Sequence, residues 1–199
     1  MLHNAWELLI SLDSEAIELT QSLRWEPLTV LFTAASAWWV KGPVIAAIGA
    51  CGDLRRGIGC LRANDPLRSL LPIAAISAGF AFFIASALNA LLKLAVARPR
   101  PPLEDSSVDA AVALPESFSF PSGHAMSAFA AATAVAVLRP SLRWPALGLA
   151  ALIAMSRPYL GVHFWVDVIA GAALGSLCGI AVATLARRAL QAQPAAQPA

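Results

Sequence analysis

Charged residues are scarce in this chain. They make up 13% of its 199 residues, whereas 58% are hydrophobic. The charged share is about half that of an ordinary soluble domain. This composition argues against a disordered chain and against an ordinary soluble enzyme. A basic stripe is also missing, so the sequence predicts no nucleic-acid partner.

Other features are rare or missing as well. The three cysteines, Cys51, Cys60 and Cys178, lack the spacing of a metal site, and their odd number argues against a closed disulfide framework. The N-terminus lacks the basic segment of a signal peptide, and Glu7 and Asp13 interrupt its apolar stretch. No internal repeat is visible, which weakens the hypothesis of a transporter built from duplicated halves.

Long uncharged runs are abundant instead and cover residues 69–92, 125–138 and 168–186. The first and the last are long enough to cross a bilayer, for which about 18 apolar residues suffice. The sequence therefore predicts an all-α integral membrane protein, a helical bundle with one domain over residues 1–190. The five transmembrane helices are expected at 27–51, 69–94, 122–138, 144–160 and 163–186, with a kink at Lys41–Pro43.

The two ends of the chain have other patterns. Apolar residues from Leu2 to Leu23 recur at helical spacing among polar ones. This pattern predicts an amphipathic helix over residues 1–25 that lies on the membrane surface, and a helix packed on the outer end of the bundle is a compatible alternative. Residues 191–199 are rich in Ala, Gln and Pro and are predicted to be disordered.

The charges are distributed unevenly between the two sides of this predicted bundle. Ten of the 12 acidic residues fall on the side of the N-terminal helix and the 95–121 loop, or at its membrane edge. The positive-inside rule predicts a plasma (inner) membrane protein with its N-terminus outside and its C-terminus inside. The inner side would hold Arg55, Arg56, Arg62, Arg68, Arg139, Arg143, Arg187 and Arg188.

Four basic residues oppose this bias: Lys93, Arg98, Arg100 and Arg157 lie at the predicted outer edge. A bound anion is the simplest reason for placing them there. Anchors that extend to the membrane interface are the alternative for Lys93 and Arg100, which stand in a Lys-x6-Arg-Pro pattern.

A second motif, Pro-Ser-Gly-His, opens the third predicted span at Ser122, Gly123 and His124. The free N–H groups of a helix start favour an anion, and Gly123 would let a ligand approach the backbone closely. The alternative is a capped helix with an interfacial histidine.

The third motif contains Arg157, His163 and Asp167. If the last span begins near His163, Asp167 lies on the same helix face one turn later. A carboxylate in that position can fix the tautomer of an imidazole and raise its basicity. A purely structural His–Asp pair is the alternative.

The three motifs, in this order and over residues 93–167, resemble the type 2 phosphatidic acid phosphatase family, which is related to the vanadium haloperoxidases. The resemblance implies a helical membrane core and a lipid phosphatase activity. It implies that His163 is the nucleophile that forms a phosphohistidine, that Asp167 orients it, and that His124 acts as general acid and then as general base. It further implies a phosphate-binding set of Lys93, Arg100, Arg157, Ser122 and Gly123.

The same resemblance implies inhibition by vanadate and no need for a metal or cofactor. The expected partners are the bilayer and a lipid phosphate substrate. Undecaprenyl or another polyprenyl diphosphate is favoured, then phosphatidylglycerophosphate or phosphatidic acid, and a lipid A phosphatase stays open. A lipid phosphotransferase and a non-catalytic lipid-binding or transport protein are the alternatives.

The sequence allows two roles for several residues near these motifs. Arg98 lies outside the motif positions and could steer anions or sit among headgroups, and Asn89 could support the site or only pack. The acidic 95–121 loop could be solvated or could form a lid. The sequence does not decide the oligomeric state.

Overall fold

The computed structural model describes residues 2–61 and 72–192, and every regular element in these residues is helical. The all-α prediction is thereby confirmed for this part of the chain. The helices are α1 (Leu2–Ser22), α2 (Glu26–Ala35), α3 (Trp38–Leu61), α4 (Ile73–Val96), α5 (Pro101–Glu104), α6 (Gly123–Leu138), α7 (Arg143–Tyr159) and α8 (Trp165–Ala192), and a 3-10 turn (Pro140–Leu142) precedes α7.

Helix α6 lies at the centre of the bundle, between α4, α7, α8 and α3. Its alanines, among them Ala125, Ala128 and Ala131, are buried on all sides. A helix that is apolar all round is stable where protein encloses it. The helix has 16 residues, or about 24 Å of length.

Helices α6 and α8 approach each other closely through three glycines of α8, Gly171, Gly175 and Gly179. A Cβ atom on Gly175 would lie 2.1 Å from the carbonyl oxygen of Met126, and one on Gly179 would lie 2.4 Å from that of Ala130. Small residues spaced by four let two helix backbones meet in this way. These three glycines therefore fix the position of the beginning of α8 relative to the beginning of α6.

Two segments, Ile73–Glu104 and Trp165–Gln191, are long and apolar enough to cross a membrane, and Gly123–Leu138 is a shorter apolar helix. Only 17% and 28% of the apolar windows in the two long segments are buried inside the protein. Large apolar side chains such as Phe83, Leu94 and Leu177 therefore point outward. The count of five spans stays a prediction.

The predicted first span, 27–51, is not one helix. The break lies at Ser36–Ala37, between α2 and α3, whereas Pro43 lies inside α3 near its beginning. The Ser36 N–H donates to the carbonyl of Phe32, and the Ser36 hydroxyl donates to that of Thr33. These bonds satisfy the last carbonyl groups of α2 and end the helix without Gly or Pro.

Helix α1 packs against α7 and α8. Asp13 and Ile17 are buried against the protein, whereas Leu12 and Leu19 are exposed. Its location on a membrane surface stays a prediction. Arg62, Arg68 and residues 193–199 of the predicted tail lie outside the described residues, and so do the side chains of Trp38, Trp39, Lys41 and Arg56.

Candidate active site

The end of α4 delivers the first group of side chains. Lys93 lies in the last turn of the helix, and Ala97, in a left-handed conformation with φ of 51°, ends it. The N–H group of Ala97 donates to the carbonyl of Lys93 over 2.9 Å. The chain then turns back across the bundle end, which brings Arg98 and Arg100 inward to exposures of 7% and 2%.

The beginning of α6 delivers the second group. Ser122 occupies the N-cap position of α6, but its hydroxyl makes no capping hydrogen bond. Its Oγ is buried and has no hydrogen-bond partner among the described residues. A buried polar atom without a partner is costly, so such an atom at a helix start indicates a place for a ligand.

Asn89 and Ser36 form hydrogen bonds with residues at the beginning of α6. The Asn89 amide donates to the carbonyl of Pro121 over 2.9 Å. A Cβ atom on Gly123 would lie 2.7 Å from Asn89 Oδ1, so the close approach at Gly123 involves Asn89. The His124 ring, at Nε2, donates to the carbonyl of Ser36 over 3.0 Å. The break between α2 and α3 thus supplies the group that orients His124.

His163 lies in the link between α7 and α8, where Gly161 has a φ of 75°. Nδ1 of His163 is 3.4 Å from Asp167 Oδ2, and Nε2 is 3.3 Å from a guanidinium nitrogen of Arg100. Both distances are long for hydrogen bonds, as is common in a catalytic site without substrate. A proton on Nδ1, shared with Asp167, leaves the lone pair of Nε2 directed toward Arg100.

Asp167 is held from several sides in the first turn of α8. Its Oδ2 accepts hydrogen bonds from the Ser119 hydroxyl and from the Phe164 N–H, and its Oδ1 accepts one from Arg98 over 3.0 Å. Asp167 is fully buried. These bonds fix its carboxylate beneath the imidazole of His163.

Sequence reasoning missed the role of Arg98 and Asp13. Arg98 donates to Asp13 Oδ2 over 3.2 Å as well as to Asp167, and its guanidinium stacks 3.7 Å from the ring centre of Phe164. Asp13 Oδ1 accepts the Val166 N–H. Helix α1 therefore contributes a buried carboxylate to the site. The only sequence signal was Asp13 itself, a charged residue among the apolar positions of α1.

The three basic residues of the predicted phosphate-binding set come from the end of α4 (Lys93), the following loop (Arg100) and the end of α7 (Arg157). Arg100 and Arg157 are close enough to act electrostatically on His163. Lys93 and Arg100 both donate to the Ser117 hydroxyl, over 3.0 and 3.2 Å. Nε of Arg157 is buried and has no hydrogen-bond partner among the described residues. Arg100 and Arg157 thus place two positive charges near the imidazole of His163.

This environment changes the titration of two groups. Burial, with added repulsion from Arg100 and Arg157, lowers the pKa of His163 to about 4, although Asp167 acts in the other direction. The imidazole is therefore neutral at physiological pH. Burial also raises the pKa of Asp13, although the Val166 N–H and Arg98 oppose this shift.

A cavity of about 530 Å³ opens beside this cluster, lined by Asn89, Lys93, Leu94, Glu116 and Phe118 among others. Its lining joins Lys93 to the exposed apolar Leu94 of α4. In residues 2–61 and 72–192, no group of three His, Cys, Asp or Glu side chains is arranged to hold a metal ion.

The 95–121 loop is ordered against the bundle. Val108 packs with Ile17 and Phe164, and Val112 and Leu114 pack on the cluster around Tyr159. Its acidic side chains Glu104, Asp109 and Glu116 are exposed.

The helical bundle brings a buried His–Asp pair together with several arginines and an unpartnered helix cap, an arrangement typical of sites that bind phosphate and other oxyanions. The chain belongs to the PAP2 superfamily, whose family model matches residues 74–191. The resemblance seen in the motifs is thereby confirmed.

Similar proteins carry lipid phosphatase names. A decaprenylphosphoryl-5-phosphoribose phosphatase of Mycobacterium tuberculosis is 39% identical over 105 residues, which is 53% of this chain and 57% of that protein. An undecaprenyl-diphosphatase of Sulfolobus acidocaldarius is 44% identical over 64 residues, which is 31% of each chain. The matched region thus spans little more than half of the mycobacterial relative's length.

Two solved structures have a similar fold. A transmembrane PAP2-type phosphatidylglycerolphosphate phosphatase from Bacillus subtilis is 27% identical, with a TM-score of 0.67 over 91% of this chain and 87% of that chain. LpxE from Aquifex aeolicus is 24% identical, with a TM-score of 0.64 over 85% of this chain and 93% of that chain, and shows the shared fold alone.

Proposed function

We propose that this protein is a membrane lipid phosphatase that hydrolyses a lipid phosphate or diphosphate through a phosphohistidine on His163. One observation carries the proposal: His163 lies between Asp167 and Arg100. Arg157 acts electrostatically on His163, and the Ser122 N–H donates to the Asp167 carbonyl. Arg157 Nε and Ser122 Oγ are both buried and have no hydrogen-bond partner among the described residues.

In the first step, Nε2 of His163 attacks phosphorus. The new P–N bond forms as the bond between phosphorus and the leaving oxygen breaks, and His124 gives a proton to that oxygen. Asp167 stabilises the positive charge that grows on the imidazole. Arg100, now donating to a phosphate oxygen, stabilises the equatorial negative charge together with Lys93.

In the second step, His124 takes a proton from water, and the resulting oxygen attacks the phosphohistidine. The P–N bond breaks, inorganic phosphate leaves, and His163 returns to its neutral form. The Ser122 hydroxyl, Gly123 N–H and Arg157 hold the phosphoryl oxygens through both steps. Side-chain cations supply the positive charge, so we propose that turnover is independent of metal and inhibited by vanadate.

The apolar outer faces of α4 and α8 support a membrane location, because unburied apolar surface of this extent needs an apolar environment. The lipid tail would stay in the bilayer beside α4, and the headgroup would enter through the cavity at Lys93. We further propose that the site faces outside the cytoplasm, since the exposed Arg55, Arg187 and Arg188 lie at the opposite end of the bundle.

Polyprenyl diphosphate is the substrate that we favour. The names of the Mycobacterium tuberculosis and Sulfolobus acidocaldarius relatives both contain a polyprenyl-linked phosphate, and the second protein is an undecaprenyl-diphosphatase. The name of the Bacillus subtilis protein makes phosphatidylglycerophosphate the next candidate. Phosphatidic acid and lipid A follow.

The test is phosphate release by purified protein in EDTA, with these lipids compared side by side. His163→Ala should lower kcat by at least about a thousandfold, as loss of a nucleophile does. His163→Asn, whose amide can still donate to Asp167, controls for the packing of this buried position, and unfolding curves show that both variants fold. Folded variants with wild-type turnover would refute the mechanism. Transfer of phosphate to added alcohols without release to water would indicate a phosphotransferase instead.

A further inference from the structure

A second group of arginines lies at the other end of the bundle. Arg55 of α3, Arg139 before the 3-10 turn and Arg187 of α8 line a cavity of about 780 Å³. Ile73, the first residue of α4, and Leu190, near the end of α8, also line it. Since Lys93 and Asp167 lie at the opposite ends of these two helices, the length of the bundle separates this cavity from His163.

Among the described residues, the charges around this cavity do not balance. Asp53 does not line the cavity, but its Oδ1 accepts a hydrogen bond from Arg139. The other oxygen of Asp53 accepts the N–H groups of Ala74 and Ala75 over 2.9 and 3.1 Å. One carboxylate, already engaged at the beginning of α4, thus faces three guanidinium groups, which leaves an excess of positive charge.

Arg139 also retains unused hydrogen-bonding capacity. Its side chain is 13% exposed, and its Nε is buried and has no hydrogen-bond partner in the part of the chain that the structure describes. Its remaining guanidinium nitrogens donate to Leu138 and Asp53. A buried donor without an acceptor indicates that an acceptor from outside the chain belongs there.

An apolar groove continues from the arginine cavity. It has a volume of about 510 Å³, and Ile73 and Leu190 line both spaces. The groove runs between α4 and α8, where Phe80, Ile84 and Leu185 line it. A basic cavity that opens into an apolar groove has the form of a headgroup site joined to a chain site.

We propose that this cavity and groove bind a resident anionic phospholipid of the bilayer, with its phosphate among Arg55, Arg139 and Arg187 and one chain between α4 and α8. Basic pockets between membrane helices recognise anionic headgroups in this way. The described residues that line the cavity include no histidine, and in this proposal the lipid is a structural ligand and not a substrate. The bound lipid would connect α3, α4 and α8 at this end and stabilise the bundle, independently of the proposed phosphatase reaction.

The test is native mass spectrometry of the detergent-purified protein with equal amounts of phosphatidylglycerol and phosphatidylcholine. Wild-type protein should retain phosphatidylglycerol in preference. Arg55→Gln and Arg187→Gln should each lower this preference about fivefold, the contribution of one basic residue near an anionic surface.

Two variants with the same change of charge are the controls. Arg188 neighbours Arg187 in the chain but does not line the cavity, and Arg100 lies at the His163 end. Arg188→Gln and Arg100→Gln should keep the preference. Equal loss in all four variants, no preference in wild type, or loss only in Arg100→Gln would overturn the proposal. Displacement of phosphatidylglycerol by polyprenyl phosphate, with the same dependence on Arg55 and Arg187, would overturn the assignment to a resident phospholipid.

Discussion

Arg98 joins the first helix of the chain to the proposed nucleophile. Its guanidinium contacts Asp13, Asp167 and the ring of Phe164, and it is 7% exposed. These contacts orient Asp167, which in turn orients His163. Arg98 is therefore a positioning residue, in contrast to Arg100, which is directed at His163 itself.

Replacing Arg98 by Gln should lower both stability and turnover. Two buried carboxylates would lose their cation, which costs about 3 kcal/mol or more of unfolding free energy. Because Arg98 would touch no phosphate oxygen, kcat should fall about 10- to 100-fold, the worth of a charge-assisted hydrogen bond, with KM nearly unchanged. Steady-state kinetics and unfolding curves measure the two effects.

A double variant separates the positioning role of Arg98 from a structural one. Adding Asp13→Asn to Arg98→Gln removes one orphaned charge and should restore part of the lost stability. It should not restore kcat, since Asp167 still lacks its cation. Recovery of kcat together with stability, or a rise in KM in place of the loss in kcat, would contradict the positioning role.

The low pKa of His163 predicts that the enzyme keeps its activity in mildly acidic solution. With a pKa of about 4, the imidazole stays unprotonated and nucleophilic well below neutral pH. Arg100→Gln removes a positive neighbour, so the pKa should rise toward its ordinary value and more of the imidazole should be protonated in acid. The ratio of kcat/KM at about pH 5 to that at about pH 7 should therefore be lower in Arg100→Gln than in wild type.

Lys93→Gln is the matched control for this measurement. Lys93 and Arg100 both donate to Ser117 and Phe118, but Arg100 is the one that lies 3.3 Å from Nε2 of His163. Its ratio should equal that of wild type, and the titration of the substrate cancels in the comparison. An unchanged ratio in Arg100→Gln would contradict the prediction that protonation of His163 lowers the activity in acid.

At the scale of helices, the contact between α6 and α8 sets the geometry of the site, because His124 and Asp167 lie in the first turns of these two helices. Gly175→Ala should push the helices apart, since the new Cβ would lie 2.1 Å from the carbonyl oxygen of Met126. We expect a loss of about 1 to 3 kcal/mol, as for other overpacked cores, and a lower kcat.

The matched control for this contact is Gly148→Ala, because nothing lies within 4 Å of a Cβ at Gly148 in α7. This change should leave stability equal or raise it by up to about 1 kcal/mol, since alanine favours a helix. Thermal unfolding of the purified variants measures both changes. Equal stability of the two variants would show that the contact tolerates a methyl group.

Helices α4, α6 and α8 could be predicted from the sequence because their signals are local. Pro121 and Ser122 indicate the beginning of α6, and the long apolar runs indicate α4 and α8. The break at Ser36–Ala37 was missed because a serine, and neither Gly nor Pro, ends α2. The Arg98–Asp13 pair joins residues 85 positions apart, and periodicity carries no information on such a contact.

At the scale of the whole molecule, charge separates the two ends of the bundle. The end around His163 has exposed Glu104, Asp109 and Glu116, whereas the opposite end has Arg55 and Arg187. The proposed phosphate site is thus a basic cluster within the acidic end. The positive-inside rule, applied to the described residues, predicts that the arginine cavity faces the cytoplasm and that His163 faces the outside.

This orientation can be measured by cysteine labelling in intact cells. With Cys51, Cys60 and Cys178 replaced by Ser, Ser106→Cys reports the loop beside the active site and Ser141→Cys reports the 3-10 turn at the arginine end. Both serines are exposed. Ser141 also lines the arginine cavity, so its labelling after permeabilisation shows that the reagent can reach it. A membrane-impermeant maleimide should label Ser106→Cys in intact cells, and Ser141→Cys only after the membrane is permeabilised. The reverse pattern would place the phosphatase site in the cytoplasm, and labelling of both would show that the charge difference does not fix one orientation.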